Sequence, residues 1–261
     1  MKYYCLISLL VMILAFVYVI FCVKPFYTPA VKLGGLNVMI HYDDTIRIAY
    51  IGDSWAEKHQ FHKCIIDSMV CNAVNKPVLV RTAGFGGFTS KDVYNGFFHF
   101  DSMRQLIEWG PDYCFVVTGI NDTDRKKGRH YYKANMKLII ECLLSYHITP
   151  LILEIPYYDI VSSFKRKTMR YKLRYLALIL IERSKLDCID EYQSALVDLI
   201  HDNKWENDVV TIHSRDWNPD GYRDIRDIYT DDLMHLNEKG YLILDSCLSN
   251  HVINHFNGFR Q

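Results

Sequence analysis

The chain of 261 residues lacks any net charge: 30 Lys and Arg balance 30 Asp and Glu, beside 11 His. That balance excludes a global attraction to nucleic acid, and affinity for phosphate would need a local patch. No internal repeat and no low-complexity tract is present. The 8 cysteines show no C-x-x-C spacing and no paired histidines, so neither a zinc module nor any other cofactor is expected. The glycines from Gly84 to Gly87 lack the last glycine of a G-x-G-x-x-G fingerprint, because Thr89 stands there. The apolar N-terminal run lacks a small-x-small cleavage site, and Phe21 precedes Cys22 where lipoprotein processing needs a small residue.

What is present is globular in character, with 50% hydrophobic and 23% charged residues. Tyr3 to Val23 carries no charge and would reach about 31 Å as a helix, enough to cross a bilayer core. The reading is a transmembrane signal anchor over 1–23 with its N-terminus inside; a cleaved signal is the alternative. A linker over 24–44 carries Pro25, Pro29, Gly34 and Gly35. One domain over 45–261 then lies on the extracytoplasmic side. Outside the membrane run the cysteines fall in apolar stretches and read as small buried hydrophobes, although an exported domain would permit disulfides.

Within that domain short apolar strands alternate with longer helical stretches. Strands are expected over 45–51, 77–82, 113–118, 150–155 and 186–189. Helices are expected over 57–74, 91–109 in two pieces, 130–146, 165–184, 192–201 and 238–255. This alternation implies parallel βαβ crossovers. The expected fold is a doubly wound, three-layer α/β/α sandwich of flavodoxin-like type with about five parallel strands, plus the N-terminal transmembrane helix.

In such a sheet ligands bind beyond the carboxyl ends of the strands. Gly52-Asp53-Ser54-Trp55 follows the first strand, Gly84 to Ser90 the second, and Gly119-Ile120-Asn121-Asp122 the third. Asp232-Leu233-Met234-His235 precedes the last helix. Together these groups fit an acyl-transfer site. Ser54 needs a base to become a nucleophile, and His235 can be that base. Asp232 can fix the histidine's tautomer, from one helical turn or from a tight loop. The N–H groups of Ser54 and Gly87 and the Asn121 amide can receive an oxyanion, with no Cβ at Gly87 to obstruct it.

The four blocks, in this order, resemble the signature blocks of the SGNH/GDSL hydrolase superfamily over about residues 45–256, and Leu236-Asn237-Glu238-Lys239-Gly240 resembles the family's continuation after the histidine. The resemblance implies a serine esterase with Ser54, Asp232 and His235 as catalytic residues, and Ser54, Gly87 and Asn121 as the oxyanion hole. Trp55 departs from the usual leucine, Leu236 from a common proline, and Thr82 from a frequent asparagine.

Each block alone has a plainer reading. Gly-Asp-Ser is usually a turn with a helix cap, Asn121-Asp122-Thr123 can cap a helix, and Thr89 with Asp92 reads as a capping box. The remaining histidines, among them His59, His62, His213, His251 and His255, read as surface or structural. Arg125, Lys126 and Lys127 form a basic run beyond the third strand, and Lys165, Arg166, Lys167, Arg170, Lys172 and Arg174 a second beyond the fourth. Such runs are usually solvated faces. Their position also suits an anionic substrate, an acidic polysaccharide or a lipid headgroup.

The expected activity is hydrolysis of an ester, an O-acetyl group on carbohydrate, by an acyl-enzyme route. The alternatives are an acyltransferase to an envelope polysaccharide, a metal-dependent phosphoesterase using Asp53, Asp122, Asp232 and His235, and a non-catalytic glycan-binding module. The expected partners are an acylated carbohydrate or lipid and the membrane, with no nucleic acid.

Overall fold

The computed structural model describes residues 2–23, 28–182, 184–217 and 227–258. In chain order the elements are α1 (Lys2–Val23), β1 (Ile46–Gly52), α2 (Ser54–His59), α3 (Ile66–Val74), β2 (Val78–Gly84), α4 (Ser90–His99), α5 (Asp101–Glu108), β3 (Tyr113–Val117), α6 (Ile120–Asp124), α7 (Arg129–Ser145), β4 (Thr149–Leu153), α8 (Ile160–Arg166), α9 (Met169–Glu182), α10 (Ile189–Asn203), β5 (Val210–Ile212), α11 (Ser214–Trp217) and α12 (Glu238–Gly258).

The five strands form one parallel sheet in the order β2-β1-β3-β4-β5. β1 and β3, at its centre, are buried at every position. That is why both read as nearly continuous apolar runs, with Arg47 the one charge in β1: each is covered on both faces. β2, at the edge, alternates between half-buried and exposed along its first five residues. Chain order reverses between β1 and β3, so the crevice of a doubly wound sheet opens beyond the ends of those two strands.

Local sequence explains the crossovers. Thr89 and Asp92 form the expected capping box at the start of α4, Thr89 N–H donating to the Asp92 carboxylate at 2.9 Å. Asn237 starts α12 by accepting from Gly240 N–H at 2.9 Å. Gly52 ends β1 where a Cβ would sit 2.0 Å from the Val117 carbonyl oxygen, so only glycine lets β1 and β3 run this close.

Several boundaries differ from expectation. The helix expected over 57–74 is two helices, α2 and α3, separated by residues 60–65; Phe61, which a single helix would share with Cys64, Ile65 and Met69 on one apolar face, is 83% exposed. The stretch over 165–184 is likewise divided into α8 and α9, the first starting early because Asp159 caps it through Ser162 N–H at 2.8 Å. No strand forms over 186–189, where Ile189 opens α10; the fifth strand is Val210–Ile212 instead.

Residues 28–42, expected as linker, are held against the domain from residue 30 onward. Ala30 N–H donates to the Asn135 side chain at 2.8 Å, Leu33 N–H to the Tyr94 hydroxyl at 2.7 Å, and Met39 N–H to the Glu108 carbonyl at 2.9 Å. Residues 24–27 lie outside the described residues. The N-terminal run does form a 22-residue helix, α1. Among the described residues, however, no helix is long and apolar enough to cross a membrane, so the transmembrane helix is not supported. The cysteines described are all free thiols; Cys114, Cys142, Cys188 and Cys247 are buried as small hydrophobes.

Candidate active site

Three strand ends and one late loop converge at the crevice. Ser54 is the first residue of α2, directly after β1, and is half-buried. Its Oγ lies 2.9 Å from His235 Nε2, and His235 Nδ1 lies 2.6 Å from Asp232 Oδ2. The pair Asp232–His235 sits in a loop, not on a helical turn: Leu233 between them has φ +54°, which no α-helix accommodates.

Backbone pairing fixes that loop. Tyr229 and Leu236 form an antiparallel bridge, Thr230 N–H donates to the His235 carbonyl at 2.8 Å, and Asp159 N–H to the Leu233 carbonyl at 3.0 Å. Asp232 Oδ1 accepts from Met234 N–H and His235 N–H, each at 2.9 Å, and from the Thr230 hydroxyl at 2.8 Å. Burial works to raise the Asp232 pKa. The hydrogen bonds from the His235 ring, the two amides and Thr230 outweigh it and hold the carboxyl well below its ordinary value.

Trp55 accounts for its departure from the family pattern. Its indole is fully buried, packs edge-on against Trp217 and Tyr229, and donates from Nε1 to the Met234 carbonyl at 2.9 Å. The residue after Ser54 therefore ties the helix that carries Ser54 to the loop that carries His235 across 179 positions of sequence. Thr230 and Trp55 are supporting residues that sequence reasoning missed. Thr230, two positions before Asp232, left a local signal; the partner of Trp55 left none.

Gly87 has φ +80° and ends a turn in which Phe88 N–H donates to the Phe85 carbonyl at 3.2 Å, the conformation a type II turn asks of glycine at this place. Asn121, the second residue of α6, donates from Nδ2 to the Phe88 carbonyl at 3.0 Å, leaving the amide one further hydrogen. Asp122 is buried and occupied: Ser90 N–H and Oγ donate to its two oxygens at 2.8 and 2.6 Å, joining α6 to the start of α4. Burial raises the Asp122 carboxyl to about 7. Asp53, Asp122, Asp232 and His235 do not gather their donor atoms as a metal site would; among the described residues only His59, Cys64 and Asp245 do.

The basic runs separate by geometry. A guanidinium nitrogen of Arg125 lies 2.9 Å from where a Cβ on Gly87 would stand. Lys127 is half-buried over the Tyr131 ring, and burial together with the nearby Arg174 lowers its pKa. Lys126 turns inward: it is 1% exposed and its ammonium donates to the Lys185 carbonyl at 2.6 Å, which removes it from any substrate surface. In the second run Arg166 donates to the Asp232 backbone carbonyl at 2.8 Å, while Lys167 pairs with Asp124 at 2.6 Å. Lys165 and Arg170 are exposed.

A hydroxyl bonded to an imidazole whose far nitrogen is held by a carboxylate can lose its proton as it attacks a carbonyl carbon. No family model and no curated protein matches this chain. Solved structures do. A lipase/acylhydrolase from Enterococcus faecalis is 16% identical with a TM-score of 0.55, covering 80% of this chain and 96% of its own. An acetyl xylan esterase is 17% identical with a TM-score of 0.56, over 79% and 100%. A GDSL-like lipase from Bacteroides thetaiotaomicron is 16% identical with a TM-score of 0.51, over 80% and 87%. By its five-stranded parallel sheet and flanking helices, the chain has the α/β fold of GDSL/SGNH lipases, acylhydrolases and esterases.

Proposed function

We propose that the protein is a serine esterase acting through an acyl-enzyme. The observation that carries this reading is the unbroken relay from Ser54 Oγ through His235 to Asp232, at 2.9 and 2.6 Å, at the reversal point of the sheet. Ser54 attacks the ester carbonyl, His235 takes its proton and later returns it to the leaving alcohol, and Asp232 holds the ring's tautomer and stabilises the imidazolium. The N–H groups of Ser54 and Gly87 and the free hydrogen of the Asn121 amide receive the oxyanion. Water, or another sugar hydroxyl, then resolves the acyl-enzyme; the same residues serve a hydrolase and a transferase.

The substrate proposed is an O-acetylated carbohydrate, a reading supported by the acetyl xylan esterase among the structures of like fold. Arg125 beside Gly87, with Lys127 behind it, favours a substrate bearing an anionic group near the ester. The test is release of acetate from p-nitrophenyl acetate and from acetylated neutral and acidic glycans, with and without EDTA. Ser54→Ala should abolish every rate, EDTA should change none, and Arg125→Gln should lower the acidic-to-neutral ratio of kcat/KM about tenfold. A rate that survives Ser54→Ala sinks the esterase; an unchanged ratio sinks only the anionic preference.

Membrane attachment through the N-terminal run, with the domain outside, is a separate proposal. Its support is that the large apolar side chains of α1 from Tyr3 to Tyr18 are exposed. The full chain should sediment with membranes through a carbonate wash, and a chain lacking residues 1–27 should not.

A further inference from the structure

Away from the active site, one other set of reactive side chains comes together. His59 ends α2, Cys64 lies in the segment before α3, and Asp245 comes from the middle of α12. His59 Nε2 is 2.9 Å from Asp245 Oδ1, and the nitrogen, sulfur and oxygen donors of the three residues all fall within 4.8 Å of one another. The His59 and Asp245 side chains are 1% and 0% exposed. Cys64 is half-buried, which leaves a way in from solvent.

The surroundings orient these donors. Ile65 N–H donates to Asp245 Oδ2 at 3.2 Å, leaving Oδ1 turned toward His59. The Tyr50 ring stacks on the His59 ring at 4.2 Å and 12°, and Tyr241 meets it edge-on at 5.6 Å, so the imidazole is held between them. Tyr50 adds an independent observation. It is 0% exposed, its hydroxyl has no hydrogen-bond partner among the described residues, and burial pushes its pKa up, with Tyr241, Asp245, Asp53 and Cys64 each adding to that rise. A buried hydroxyl without a partner is costly enough to be rare. A plain His59–Asp245 ion pair would join α2 to α12, but it gives neither the Cys64 thiol nor the Tyr50 hydroxyl anything to do.

We propose that His59, Cys64 and Asp245 bind a zinc ion through one imidazole nitrogen, one thiolate sulfur and one carboxylate oxygen, with a water as fourth ligand bonded to the Tyr50 hydroxyl. The mixed donor set suits zinc; magnesium and calcium want oxygen alone. Tetrahedral zinc with ordinary bond lengths holds such donors about 3.3–3.6 Å apart. The cluster needs only a small opening between His59 and Asp245 and a closing at Cys64. On binding, Cys64 gives its thiol proton to solvent, the hydrogen on His59 Nε2 leaves that nitrogen so that the ring binds as the neutral Nδ1–H tautomer, and Ile65 N–H keeps its hold on the second carboxylate oxygen. The ion is a staple. It fastens α2, five residues after Ser54, to α12, and it takes no part in the reaction proposed for Ser54.

The full chain titrated with cobalt(II), the spectroscopic stand-in for zinc, tests this without reference to activity. A near-ultraviolet thiolate-to-cobalt absorption band should rise, saturate at one cobalt per chain and collapse when zinc is added. Cys64→Ser and Asp245→Asn should remove the band, while Ser54→Ala and Cys71→Ser should keep it. Cys64→Ser replaces a half-buried thiol with a hydroxyl of similar size, so its folding is not in question. Zinc should also raise the Tm of the wild-type chain by several degrees, as a ligand bound to the folded state alone must, and leave that of Cys64→Ser unmoved. Absence of the band at one equivalent, or its survival in Cys64→Ser, would overturn the site and leave a simple ion pair.

Discussion

Two aspartates flank Ser54, and the protein treats them in opposite ways. Asp232 reaches the serine through His235, is partly exposed and accepts hydrogen bonds from a ring nitrogen, two amides and a hydroxyl. Asp53 is its immediate neighbour in sequence and is 0% exposed. Among the described residues Trp55 N–H donates to Oδ1 at 3.0 Å and Oδ2 has no partner; the Asn121 amide favours its charge but does not offset burial. Burial, aided by repulsion from Asp122, raises Asp53 to about 7, while Asp232 stays far below its ordinary value. Nearness to Ser54 therefore does not keep an aspartate ionised. The supply of hydrogen-bond donors does, and it is what sets the carboxyl beside the His235 ring apart.

The comparison breaks most visibly at Asp232. Asp232→Asn keeps an acceptor and the loop's shape but removes the charge and permits the wrong tautomer of His235. Esterase kcat should fall about 10³–10⁴-fold. If Asp232→Asn retains most of the wild-type kcat while Ser54→Ala is dead, the relay is not the working unit and the base lies elsewhere.

The second test sharpens how the loop carrying Asp232 is held. Trp55→Leu restores the residue usual in the family the sequence resembles. It removes the indole packed on Trp217 and Tyr229 and strands the Met234 carbonyl. Stability should drop by about 2–4 kcal/mol in urea unfolding, and kcat by about tenfold because the histidine is less well placed. Trp55→Phe separates the two causes, since it keeps most of the packing and loses the N–H donor. Unchanged kcat in both variants would show that the loop holds itself.

What was legible in the sequence divides along the same line between local and distant causes. The first four strands are apolar runs ended by glycine or polar residues, and periodicity finds them. β5 is three residues long, shorter than any pattern can register, and the apolar stretch near Ile189 imitated it. The 57–74 stretch has unbroken helical spacing, yet the chain leaves the helix after His59. The ring there pairs with Asp245, 186 positions away, and Ile65 N–H bonds to the same carboxylate. For the same reason the His59–Cys64–Asp245 cluster was hidden behind spacings that suggest no metal. Ser54 and Asn121 stood out because strand ends on one sheet edge must converge, and Asp232 and His235 because their spacing before the last helix resembles the last block of the family pattern. The inward turn of Lys126 did not, because a basic run says nothing about which of its members faces the core.

The smallest effect tests the other aspartate. A carboxyl raised by burial keeps its proton in the folded chain where the unfolded chain has released it. Between about pH 4 and 7 the folded state thus binds more protons through Asp53 and Asp122, and their contribution to stability declines as pH rises through that window, then levels off above about 7. Each group can take away at most about 1.4 kcal/mol per pH unit. Asp53→Asn leaves an acceptor for Trp55 N–H and removes one of the two groups, along with its repulsion on Asp122. The variant should come closest to the wild type near pH 4, exceed it increasingly up to about pH 7, and show roughly half the loss across that window in urea unfolding. Equal pH slopes in the two proteins would mean that Asp53 is ionised in the folded state, and the contrast with Asp232 would then rest on hydrogen-bond number alone.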